Sequence, residues 1–82
     1  MEPAAKASEA TIRKHLELKI PLKKRWSYRV ERSIIGYVRI VIKKPWPFGR
    51  VVTFVLPDDK NIINTAEAAV LRVVDQEGLH RD

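Results

Sequence analysis

The chain has no cysteine, and among its 82 residues only three are glycine and two histidine. Without cysteine there is no disulfide framework, no zinc site built on thiolates and no thiol nucleophile. The glycines stand singly at Gly36, Gly49 and Gly78, so no glycine-rich loop is available to cradle a phosphate. His15 and His80 are isolated, and Ser8, Ser27 and Ser33 have no His/Asp companions beside them. No metal site, cofactor or catalytic triad is expected. Asp58-Asp59 reads as a turn before Lys60-Asn61 and not as an acid pair. An enzyme is therefore not expected.

Long apolar runs are missing too. The most apolar stretch, residues 34–42, is interrupted by Gly36 and Arg39 and falls well short of the roughly 20 residues of a bilayer span. The opening MEPAAKASEA lacks the apolar core of a signal peptide, so a soluble cytoplasmic protein with no membrane span is expected. Hydrophobic residues make up 45% and charged residues 32%, a composition that folds. The chain reads as one small domain over 11–78, between a flexible tail at 1–10 and a short one at 79–82.

Acidic residues are scarce where basic ones are dense. Residues 11–50 carry twelve Lys and Arg against only Glu17 and Glu31, while the segment from 51 onwards has more acids than bases. A net charge of +6 distributed in this way points to a polarised surface that attracts a polyanion.

Hydrophobic periodicity then suggests the elements. Residues 1–10 read as a frayed tail or short helix, with Ser8 or Thr11 as a cap. Ile12, Leu16, Leu18, Ile20 and Leu22 all fall on even positions, with Glu17, Lys19 and Lys23 between them, so alternation predicts a strand at about 14–22. Pro21 would place it at a sheet edge. Trp26, Tyr28 and Val30 alternate with Ser27, Arg29 and Glu31 in a further strand at about 26–33. Gly36 marks a turn or a bulge. Another strand follows through Val38, Ile40 and Ile42. The Pro45-Trp46-Pro47-Phe48-Gly49 segment breaks it, and residues 50–56 form the next. Asn64 and Glu67 resemble a capping box for a helix over 65–77, with Ile63 and Ala68 at staple positions. Its apolar stripe is Ala66, Val70, Val73 and Val74, and Gly78 is the left-handed cap that ends it. The expected fold is α+β: an antiparallel three- or four-stranded meander packed against one C-terminal helix.

With even positions turned to that helix, odd positions share the other face and gather Lys19, Lys23, Arg29, Arg39 and Lys43. The outer positions Tyr37, Val41, Val51, Thr53 and Val55 are apolar or nearly so, which suits a homodimer or another protein partner through Tyr37, Val41, Val51 and Val55. Trp46 and Phe48, held between prolines and flanked by Lys43-Lys44 and Arg50, suit base stacking or a lipid interface.

The element order and the Ala-rich helix start Asn64-Thr65-Ala66-Glu67-Ala68-Ala69 loosely resemble double-stranded-RNA-binding domains. The basic cluster such domains carry at the start of the last helix is absent here, where Asp58, Asp59 and Lys60 are followed by Ile62-Ile63, and membership is not claimed. The expectation drawn from all this is a nucleic-acid-binding module, for DNA or RNA. Lys19, Lys23, Lys24, Arg25, Arg29, Arg39, Lys43, Lys44 and Arg50 would contact phosphate, and Trp46 or Phe48 would stack. Its rivals are a protein-interaction module or small subunit and, more weakly, attachment to an anionic membrane surface.

Overall fold

The computed structural model describes residues 7–45 and 49–81. Helix α1 (Glu9–Lys19) is followed by strands β1 (Ser27–Arg32), β2 (Tyr37–Lys44) and β3 (Arg50–Pro57), and then by helix α2 (Ile62–Glu77). The strands form one antiparallel sheet in the order β1-β2-β3. The fold is α+β, as the sequence predicts, with three strands in the sheet and a second helix at the N-terminal end.

That second helix is the main correction. Residues 14–22 do not form a strand. Ile12, Leu16 and Ile20 are spaced i, i+4, i+8, which suits one face of a helix as well as it suits alternation, and all three are buried. Leu18, which fits only the alternating pattern, is 80% exposed. Local chemistry suits the helix as well: the Ser8 hydroxyl accepts the Thr11 amide at the N-terminus, and Glu9 in the first turn and Lys19 in the last are favourable to the helix dipole. Pro21 follows the end of α1 and has no place at a sheet edge.

The three remaining strands stand close to where alternation put them. Gly36, at φ +94, closes a turn between β1 and β2, so it separates two strands and does not bend one. The last helix begins three residues earlier than expected. Its N-cap is Asn61 without a side-chain cap bond, so Asn64 and Glu67 lie inside the helix and form no capping box. Asp59 closes the entry instead, its carboxylate accepting the Asn61 amide at 2.9 Å. At the other end Gly78 adopts the left-handed conformation, φ +69, and terminates α2.

Both helices cover the same face of the sheet. The core joins Ile12 and Leu16 of α1, Tyr28 and Val30 of β1, Val38, Ile40 and Ile42 of β2, and Ile62, Ala66, Val70 and Val74 of α2. The helices are clasped to each other where His15 Nε2 meets Glu67 Oε1 at 2.6 Å. Residues 79–81 join the fold: Leu79 is buried and His80 bridges to Leu22. No helix among the described residues is long and apolar enough to cross a membrane.

Candidate nucleic-acid interface

The sheet face opposite the helices is a grid set by strand register. Glu31, Arg39 and Val55 lie in one row, Arg29, Val41 and Thr53 in the next, and Ser27, Lys43 and Val51 in the third. Only Arg29, Arg39 and Lys43 of the expected cations stand here. Lys19 and Lys23 do not, because residues 9–19 are helical and lead into a link off the sheet. The face is also partly neutralised. Glu31 is 3.3 Å from Arg29 and 3.8 Å from Arg39, so two guanidiniums share one carboxylate. A broad basic platform across the sheet is therefore not what the fold assembles.

It assembles a basic end instead. Ser27 pairs with Lys43 and Lys44 pairs with Arg50, which brings the start of β1, the end of β2 and the start of β3 to one end of the sheet. The Lys23-Lys24-Arg25 link runs into that same end, and all three of its side chains are exposed. Arg25 holds φ +76, a left-handed conformation that costs a non-glycine residue about 1–2 kcal/mol. The link is anchored where the Lys23 amide donates to the Leu79 carbonyl at 2.9 Å and Trp26 packs half-buried against the core. Trp26 thus takes the inward role its even position predicts.

The cations of this end differ in availability. Among the described residues, no carboxylate lies within ion-pairing distance of Lys19, Lys23, Lys24, Arg25, Lys43 or Lys44. Arg50 is held by Glu77, and Lys44 is half-buried on the helix side of the sheet. Arg81, in the segment 79–82 that the sequence predicts to be a tail, belongs here as well: its amide donates to the Pro21 carbonyl at 3.1 Å and its side chain lies exposed beside Trp26 and Ser27. The signal missed was the Leu22–His80 bridge, a contact between distant residues with no local pattern. Trp46 and Phe48 lie outside the described residues.

The open face also carries apolar side chains, Tyr37 and Val55 toward its far end and Val51 beside Lys43 at the basic end. Tyr37, Val51 and Val55 are 47%, 61% and 51% exposed, and Val41 between them is half-buried. Ile34 and Ile35 project from the β1–β2 turn. Glu31, Ser33, Ile35, Tyr37, Arg39 and Val55 line an open groove of about 490 Å³ there. Among the described residues no three metal-ligating side chains gather anywhere.

No protein-family model, curated protein or solved structure matches the chain. Functional inference therefore rests on the molecule's own chemistry.

Proposed function

We propose that the chain is a small nucleic-acid-binding module that engages phosphates through its basic end. The observation that supports this is the convergence of Lys23, Lys24, Arg25 and Lys43 by link and register, without a carboxylate partner among the described residues. Such side chains attract phosphate by charge and release condensed counterions on contact. They position a strand and carry no base readout, so the same surface serves DNA or RNA backbone. Arg29 and Arg39 add to the site only where a phosphate competes with Glu31. Trp46 and Phe48, flanked by Lys44 and Arg50, are the candidates for stacking.

The test is a salt titration of fluorescence anisotropy with a labelled oligonucleotide. Four phosphate contacts on a duplex predict an affinity loss of about 10²-fold between low and physiological salt. Exchange of Lys23, Lys24 and Arg25 for glutamate should remove most of that slope while leaving the circular dichroism unchanged. Affinity that ignores salt rejects the proposal.

A second reading, a protein-interaction module, is favoured by the exposed Tyr37, Val51 and Val55 and the adjoining groove. A co-purifying protein in a preparation whose 260/280 nm absorbance ratio shows no nucleic acid supports it over the first.

A further inference from the structure

Strand β3 is an edge of the sheet and lacks the devices that keep edges from pairing. Protected edges carry charges, prolines, bulges or short strands. Between Arg50 and Pro57, β3 reads Val-Val-Thr-Phe-Val-Leu, with no charge, glycine or proline. Its ladder to β2 runs unbroken through eight register pairs. The other edge differs, since β1 includes Arg29, Glu31 and Arg32 in its six residues and turns buried Tyr28 and Val30 inward. On β3 the inward Val52, Phe54 and Leu56 remain half-buried, although their β2 neighbours Val38, Ile40 and Ile42 are fully buried. Its outward Val51 and Val55 are more than half exposed.

We propose that two copies of this chain join by antiparallel pairing of β3 with β3 about a two-fold axis at Phe54, giving one six-stranded sheet. Charge selects a second copy in this orientation. Lys44 of β2 and Arg50 pair where β3 begins, Arg50 already beside Glu77, and Asp58-Asp59 follow its end, Asp58 already held by Arg32. Antiparallel self-pairing therefore sets the basic end against the acidic end through the exposed Asp59, whereas parallel pairing would oppose like charges.

Pleat geometry narrows the register. Opposed residues must point to the same side, so a two-fold axis passes through a single residue, Phe54 or Thr53. Centred on Phe54, Val52 meets Leu56 on the helix side, Thr53 meets Val55 on the open side, and Arg50 arrives at the Asp58-Asp59 turn. Centred on Thr53, Arg50 would face Leu56 and meet that turn only diagonally.

Helix α2 permits the approach. Glu67 marks the flank turned to α1, and helical spacing puts Ala69 and Val73 on the opposite flank, above the β3 edge. Both are half-buried, and small side chains let two helices approach closely where two sheets join. The closed point-group dimer this produces is the commonest assembly of soluble chains.

Light scattering over a concentration series, with no nucleic acid present, reads the assembly directly and independently of phosphate binding. The expected result is a species of twice the chain mass. Val55→Lys places like charges diagonally across the joined strands and should return the chain to a monomer with unchanged circular dichroism. Tyr37→Lys, on the open face but off the edge, should leave the dimer intact. Since the native chain has no cysteine, a Thr53→Cys/Val55→Cys variant gives an unambiguous covalent readout. Oxidation should cross-link it quantitatively, at the cross-strand separation a disulfide spans, and Thr53→Cys alone should cross-link poorly. A monomer at every concentration overturns the proposal. So does a dimer that survives Val55→Lys or dissociates with Tyr37→Lys, and efficient cross-linking of Thr53→Cys alone overturns the register.

Discussion

Tyr28 shows how one side chain serves several parts of this molecule. It is 5% exposed, and its hydroxyl donates to the Ile20 carbonyl at 2.7 Å, tying the end of α1 to the first strand. Burial, with the Glu17 carboxylate adding to it, pushes the phenol well above its ordinary value of 10.0. The neutral phenol is the form the fold favours, so its contribution is complete below pH 10 and is lost as pH rises through the higher folded value. Tyr28→Phe removes the bond and leaves a buried carbonyl unpaired, at a cost of about 1–2 kcal/mol at neutral pH. Urea unfolding of the two proteins should show that gap narrowing above pH 10, because only the parent has a buried phenol at position 28 to ionise while both keep Tyr37. A gap that stays constant into strong alkali would contradict the buried, donating phenol.

At the scale of elements, α1 is where pattern and structure part. Leu16→Ala should cost about 2–5 kcal/mol, since a fully buried leucine leaves a cavity, whereas Leu18→Lys should lie within about 0.5 kcal/mol of the parent. In a strand with even positions inward the two leucines would have cost alike, so denaturant midpoints for the pair separate helix from strand. β1, β2 and β3 were legible because each alternates with no helical stripe competing, and α2 because Ala66, Val70 and Val74 repeat at four residues and Gly78 closes them. The start of α2 was not, because the Asp59 turn that opens it mimics no capping box.

Across the whole molecule the consequence is a charge polarity running along the strands. Lys23, Lys24, Arg25, Lys43 and Lys44 share one end, and Asp58 and Asp59 lie past the opposite end of β3. Asp58 is taken up by Arg32 at 2.8 Å, while the basic end has only Glu77 on Arg50 among these pairings. Like charges confined within a Debye length repel, and salt screens that repulsion. The thermal midpoint should therefore rise with sodium chloride from low to physiological strength. The glutamate exchanges at Lys23, Lys24 and Arg25 should raise the low-salt midpoint and flatten its salt dependence. A midpoint that falls with salt would mean that the surface ion pairs around Glu31 outweigh the crowding of cations.

What the sequence determined by itself was local: a sheet from period two, a final helix from period 3.6, and a basic middle segment. Those follow from neighbours along the chain. Tertiary structure decided which of two compatible periods residues 9–19 obey, because only packing against β1 and α2 distinguishes a buried Leu16 from an exposed Leu18. It also decided where the charge sits. Register sets Arg39 beside the Glu31 that Arg29 already shares within β1. Contacts between residues far apart in the chain, Ser27 with Lys43, Lys23 with Leu79 and Pro21 with Arg81, bring the link, Lys43 and Arg81 to one end, which no local pattern encodes.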